Sequence, residues 1–122
     1  VERSIELTKN NKTLHLNIAL SYGARSEIIR AVKNIIKDSE NNRIKIDDID
    51  EESFKRYLFT YDMPDPDLLI RTSGEIRLSN FLLYQVAYTE FYFTDVLWPD
   101  FNKNELLKAI DSYQQRKRRY GN

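Results

Sequence analysis

Asp67-Leu68-Leu69-Ile70-Arg71-Thr72-Ser73-Gly74-Glu75-Ile76-Arg77-Leu78-Ser79-Asn80-Phe81 is the stretch on which the fold of this chain turns. Pro64 and Pro66 stand just before it and discourage helix. Leu68-Leu69-Ile70 is a short apolar run between Asp67 and Arg71, which reads as a buried strand. Thr72-Ser73-Gly74 ends that strand. Residues 80–88 are apolar on nearly every side and read as a buried helix. Phe91-Tyr92-Phe93-Thr94-Asp95-Val96 is aromatic and β-branched, so a further strand follows. On the N-terminal side, Thr13-Leu14-His15-Leu16-Asn17-Ile18-Ala19-Leu20 reads as a first strand and Tyr22-Gly23-Ala24-Arg25 as a turn. Ser26 is then the expected N-cap of a helix whose Ile28, Ile29, Val32, Ile35 and Ile36 form one apolar stripe. Residues 37–48 read as a polar surface connection, and Asp50 as the cap of a helix with Phe54, Tyr57 and Leu58 inward. Trp98-Pro99-Asp100-Phe101 is a loop, and Asn102 or Asn104 caps a last helix carrying Leu106, Leu107, Ile110 and Tyr113. Strand and helix thus alternate, which predicts an α/β fold: a parallel sheet of three strands flanked by helices, with right-handed crossovers. Three strands are few for that class. More chain or a partner subunit is expected to cover both faces and one edge.

Composition narrows the function. At 122 residues the chain is one domain or part of one. Lys and Arg number 19 and Asp and Glu 19, so zero net charge argues against bulk electrostatic capture of nucleic acid or an anionic membrane. The absence of Cys removes disulfides, thiolate nucleophiles and thiolate-bound metals. A single His, His15, excludes a site needing two histidines from one chain. No apolar run approaches the roughly 20 residues that span a bilayer. Val1-Glu2-Arg3-Ser4 is polar and not a signal peptide. A start at Val1, already near a helical pattern, is what a fragment would show.

The chemistry gathers around Gly74. Gly23 and Gly74, two of only three glycines, follow the first and second expected strands. In a parallel sheet those ends share one edge, and ligands bind outside the carboxyl ends of strands. Glycine there lets backbone approach a ligand or take positive φ; both can equally be plain turn residues. Arg71 ends a strand, Arg77 precedes the expected helix, and Ser79-Asn80 stand at its start. Two guanidinium forks, a hydroxyl and free helix amides make a site for phosphate or diphosphate. The bland reading is two Arg–carboxylate pairs with Ser79 as an ordinary N-cap. Glu90, between apolar helix and aromatic strand, needs a cation: Mg²⁺, or a salt bridge to Arg71 or Arg77. His15 lies well before the ligand-facing strand end and is read as structural. The basic tail around Arg116-Lys117-Arg118-Arg119 is a solvated last turn or a substrate contact, and too small a footprint for nucleic acid.

The run from Asp67 to Phe101, with Thr94-Asp95-Val96-Leu97-Trp98-Pro99-Asp100-Phe101 closing it, closely resembles the signature of the cis-prenyltransferases, whose bacterial members are undecaprenyl diphosphate synthases. Leu16-Asn17-Ile18-Ala19-Leu20-Ser21-Tyr22-Gly23-Ala24-Arg25 resembles a second signature, and Arg119-Tyr120-Gly121 the C-terminal Arg-x-Gly motif. The matches run in family order across almost all of residues 1–122. The resemblance implies condensation of isopentenyl diphosphate onto an allylic diphosphate such as farnesyl diphosphate, with cis double bonds and Mg²⁺. It implies that Arg71, Arg77 and Ser79 hold isopentenyl diphosphate and that Asn17 and Arg25 support the site. It further implies that Glu90 helps bind Mg²⁺, that Arg119 and Gly121 reach across a homodimer, and that Trp98 and Asp100 brace the edge. Leu14 becomes a tunnel-floor candidate, with ordinary packing as the alternative. A dimer built on residues 91–96, a cytoplasmic location with peripheral membrane contact through the lipid product, and no nucleic-acid partner complete the expectation.

One family feature has no match here. The Asp-Gly-Asn-Gly-Arg-Trp-like segment that supplies the catalytic Asp does not occur, and Asp62-Met63-Pro64-Asp65 is not it. The chain is therefore expected to be the C-terminal half of the cis-prenyltransferase fold, with the isopentenyl half-site and no catalytic residue of its own. The competing readings are a non-catalytic family-like partner subunit and an unrelated phosphate-binding α/β module.

Overall fold

The computed structural model describes residues 2–116. Helix α1 spans Glu2–Thr8, α2 Ala24–Glu40, α3 Glu51–Lys55 and α4 Lys103–Gln114; strands β1 and β2 span Leu68–Arg71 and Glu90–Phe93. Short 3-10 turns occupy Ile46–Asp48 and Trp98–Asp100. β1 and β2 pair in parallel, with Leu68 opposite Glu90 and Arg71 opposite Phe93, and α4 packs against β2. The α/β class and the parallel pairing are as the sequence predicts.

Three elements differ. Residues 13–20 form no strand. The described sheet has two strands, and an extended segment becomes a strand only when a neighbour takes its N–H and C=O groups. Leu14, Leu16, Ile18 and Leu20 lie 70–81% exposed. Residues 80–88 are a chain of turns rather than a helix. Ser79, Asn80 and Leu82 have φ of 49°, 64° and 45°, and left-handed residues in such a cluster interrupt a right-handed helix. The expected strand at 91–96 begins at Glu90 and ends at Phe93, and both strands are half-buried rather than buried.

The helices begin where side chains or neighbouring segments satisfy their first amides. Asp50 caps α3 as expected, accepting from Ser53 N at 2.7 Å while Ser53 Oγ accepts from Asp50 N at 2.8 Å. Asn102 caps α4, accepting from Asn104 N at 2.9 Å. α2 starts at Gly23, three residues before the expected Ser26, and runs on to Glu40 into the expected connection. Its buried face is Ala24, Glu27, Ala31 and Ile35; of the expected stripe only Ile35 is buried, and Ile29, Val32 and Ile36 are exposed. Among the described residues the buried apolar side chains are Ala24, Ala31, Ile35, Leu58, Val86 and Ala109. That is a small core beside many exposed large apolar side chains, as a sheet still open at one edge and on its faces would show. No helix among the described residues is long and apolar enough to cross a membrane.

Candidate functional site

At the carboxyl end of β1 the chain makes a tight reversal. Ser73 and Gly74 both have φ of 69°, a conformation that glycine adopts without penalty. Their amides donate to Val96 O and Thr94 O, each at 2.9 Å, and a Cβ on Gly74 would lie 3.0 Å from Asp95 Oδ1. Gly74 is therefore a turn residue whose N–H is spent on the backbone after β2, and the plain-turn reading is the correct one for it. The reversal leaves an open cleft of about 350 Å³ lined by Arg71, Ser73, Glu75, Arg77, Leu78 and Phe81, among others. Arg71 Nη1 donates to Ser79 Oγ at 3.2 Å, and Arg77 is ion-paired with Glu75. Both expected arginines thus line one cleft, and Arg71 reaches from it to the expected serine. Half of the bland reading also holds, because Arg77 does have a carboxylate partner. The free helix amides expected at residue 80 are absent, since no helix starts there.

A second tier holds the cleft in shape. Asn80 caps α2 from outside: its carbonyl accepts from Ala24 N at 2.8 Å and its Oδ1 from Arg25 N at 2.9 Å. This ties the backbone of Arg25 to the residue after Ser79. Gly23 leaves room for the Asn80 side chain, because a Cβ there would sit 2.8 Å from Asn80 Nδ2 and the amide would have to shift. Below lies Glu27, 1% exposed, accepting from Phe59 N at 2.6 Å, from Gln85 Nε2 at 3.2 Å and from the Tyr22 hydroxyl. The Tyr22 ring meets Phe81 and Phe59 edge-on, at 5.8 and 6.5 Å between centroids. Burial first, then the hydrogen bond to Glu27 and its negative charge, push the Tyr22 hydroxyl well above the ordinary tyrosine range. Arg30, which stacks over Phe59 at 3.8 Å and donates to Tyr57 O at 2.8 Å, closes the tier. Asn80 is expected at a helix start and instead caps α2, and Glu27 is not among the residues the sequence points to. The signal for Glu27 was its place in the series 24, 27, 31, 35, which a search for apolar residues passes over.

Other expected site residues lie elsewhere. Glu90 opens β2, at the amino end of the sheet, and its carboxylate takes Arg116 at 2.7 Å rather than Arg71 or Arg77. Arg71 pairs with Phe93, three residues further along β2, so the two ends are about 10 Å apart. Asn17 donates to Met63 Sδ on the loop before β1. His15 is exposed on the unpaired segment, as is Leu14, so no tunnel floor forms among the described residues. Arg119 and Gly121 lie outside the described residues. Trp98 is exposed and stacks on Phe101 at 6.2 Å. For Mg²⁺ the fit is poor: among the described residues no group of three His, Cys, Asp or Glu side chains converges. Glu90 holds an ion pair with Arg116 instead.

The undecaprenyl diphosphate synthase family model matches residues 1–121. The isoprenyl transferase of Fusobacterium nucleatum is 58% identical over 121 residues, covering 99% of this chain and 50% of that protein. The isoprenyl transferase of Bacillus anthracis is 54% identical over 121 residues, covering 99% and 47%. The crystal structure of lavandulyl diphosphate synthase from Lavandula x intermedia, in complex with dimethylallyl diphosphate, superposes with a TM-score of 0.95 at 43% identity, covering 99% of this chain and 52% of that one. The chain thus spans about half the length of the relatives it matches. With its cleft, its reversal at Gly74 and a family model over nearly every residue, the chain belongs to the undecaprenyl diphosphate synthase family, the cis-prenyltransferases.

Proposed function

We propose that the cleft at the end of β1 binds the diphosphate of isopentenyl diphosphate in a cis-prenyltransferase that extends an allylic diphosphate, such as farnesyl diphosphate, toward a long-chain product such as undecaprenyl diphosphate. What supports this reading is that Arg71 and Arg77 line one cleft at the carboxyl edge of a parallel sheet, with Arg71 hydrogen-bonded to Ser79. In the reaction the allylic C–O bond breaks and diphosphate leaves with the bonding pair. The isopentenyl π-bond forms the new C–C bond, and a proton is then lost. Within this chain, Arg71 and Arg77 would fix the isopentenyl diphosphate by bidentate, charge-assisted hydrogen bonds, and Arg77 would exchange Glu75 for it. The apolar wall of Leu69, Leu78 and Phe81 would hold the alkene end in place and away from water. Mg²⁺ belongs to the proposal through the substrates' diphosphate oxygens, with its protein ligand other than Glu90 as Glu90 stands. A non-catalytic partner subunit would have no need of such a clamp.

The assay host follows from the half-length match. In a chimera, residues 1–121 replace the matching half of the Fusobacterium nucleatum relative. Arg71→Ala and Arg77→Ala are each expected to raise KM for isopentenyl diphosphate roughly ten- to hundredfold, the worth of a charge-assisted hydrogen bond of about 1.5–3 kcal/mol. Lys at either position should rescue only in part, because the ammonium lacks the fork. Steady-state kinetics beside thermal unfolding decide the matter. Parental kinetics in both variants, or unfolding of both, would show that the arginines are structural.

The proposal includes a homodimer and, through its lipid product, contact with a membrane surface from the cytoplasm. Its interface would be β2 and its neighbours, where Phe91 and Phe93 stand half-buried, edge-on at 6.0 Å, and Leu97 and Trp98 lie exposed beyond them. Aromatic side chains of that kind are favoured in interface cores. Sedimentation equilibrium of the chimera should give twice the chain mass, and Phe93→Asp should shift it toward one. A monomeric parent would remove the dimer from the proposal.

A further inference from the structure

We propose that Asn80 is a positioning residue for this cleft: one side chain and its own carbonyl fasten the Ser79 loop to the first turn of α2, so that Arg25, Ser79 and Arg71 are held as one unit. The inference rests on the diphosphate reading above. A helix leaves its first amides without intrahelical partners, and a capping side chain normally comes from the residue just before the helix. Here that residue is Gly23, which has no side chain to offer. Ala24 N and Arg25 N donate instead to Asn80 O and Asn80 Oδ1, at 2.8 and 2.9 Å. Asn80 can do this because its φ of 64° turns both acceptors toward α2, and asparagine is among the few residues that tolerate that conformation. The fit is tight on the other side too. A Cβ on Gly23 would lie 2.8 Å from Asn80 Nδ2 and 3.8 Å from Asn80 Cγ. Gly23 and Asn80 are therefore matched, one leaving the space that the other fills. The next residue back, Ser79, accepts from Arg71 Nη1. A displacement of Asn80 moves Ser79 relative to Arg71 and releases Arg25 from both, although Asn80 need never touch the ligand.

The test uses the chimera and three variants. Asn80→Gly keeps the left-handed backbone and the bond from Ala24 N but removes Oδ1. Amide hydrogen exchange at Arg25 should accelerate about tenfold while Ala24 stays near parental. KM for isopentenyl diphosphate should rise about tenfold with kcat within about threefold, the mark of lost binding rather than lost chemistry. Gly23→Ala should raise KM similarly by pushing the Asn80 amide away. The double variant Gly23→Ala, Asn80→Gly should be no worse than Asn80→Gly alone, because the new methyl then meets nothing. Two independent caps would instead multiply to about a hundredfold, which would overturn the inference. So would a parental KM in Asn80→Gly when the parent turns over isopentenyl diphosphate. A parent chimera that does not turn it over overturns the functional reading, and the positioning role falls with it.

Discussion

Residues 1–122 alone, given farnesyl diphosphate, labelled isopentenyl diphosphate and Mg²⁺, are expected to form no longer prenyl product, while the chimera does. The reason is physical as well as a matter of the absent Asp-Gly-Asn-Gly-Arg-Trp-like segment. Prenyl transfer needs an enclosed apolar cavity, since water would trap the allylic cation and each added CH₂ is retained only if it is buried, at about 0.8 kcal/mol. The apolar side chains that would wall such a cavity, Leu14, Leu16, Ile18 and Leu20, stand in solvent. The cleft that does exist is open and has one arginine clamp, on Arg71 and Arg77. A reaction between two diphosphates needs a second clamp and a leaving-group stabiliser, and the described residues offer neither. Thin-layer separation of extracted products measures the outcome directly. Robust elongation by the purified 122-residue chain would show that the catalytic machinery lies within it after all.

The sequence disclosed the chemistry of the cleft better than its architecture. Arg71, Arg77 and Ser79 were legible because each sits in one short contiguous motif after a strand end and around a glycine; the two arginines line one cleft, and Arg71 bonds Ser79. The elements that failed depend on contacts beyond their own residues. The alternation at 13–20 is strand-like, but pairing is a property of two segments, and the described residues supply no second one. The run at 80–88 has helical composition. Its geometry is set by Asn80, whose left-handed backbone satisfies α2 instead of starting a helix, so capping across the fold overrode local propensity. α2 misled for a related reason. Apolar periodicity selects large side chains, whereas its buried face is Ala24, Glu27, Ala31 and Ile35, where small residues admit close neighbours and one carboxylate collects their donors. Glu90 was read as needing a cation, and it has one, Arg116. Only an arrangement in space could tell that the cation is an arginine at the far end of the strand.

Glu27→Ala should be the most destabilising single change among the described residues. Glu27 binds three segments, through Phe59 N, Gln85 Nε2 and the Tyr22 hydroxyl, and it is almost wholly out of water. Alanine would leave Phe59 N and the Tyr22 hydroxyl without this acceptor, at about 1–3 kcal/mol for each bond left unmade, while Gln85 Nε2 keeps Thr60 Oγ1. A total near 3 kcal/mol would lower the Tm of a chimera of this size by roughly 6–12 °C. Glu27→Gln should lose much less. The new amide keeps an acceptor for Phe59 N, and Gln85, whose buried Oε1 has no partner, can turn its own amide to accept from it. The same network sets an alkaline limit. Tyr22 holds its proton more tightly in the folded chain than in the unfolded one, where tyrosine ionises near pH 10. Below that pH both states are protonated and the contribution is complete. Above it the unfolded state ionises first, so stability falls as pH rises. Tyr22→Phe removes this titration and should show a shallower loss of stability above pH 10 than the parent, despite starting lower at neutral pH. Denaturant unfolding at several pH values reads both effects. A Glu27→Ala variant within about 1 kcal/mol of the parent, with Tyr22→Phe parallel to it across the alkaline range, would mean that the loop 79–82 is held to α2 by ring packing and the Asn80 cap alone.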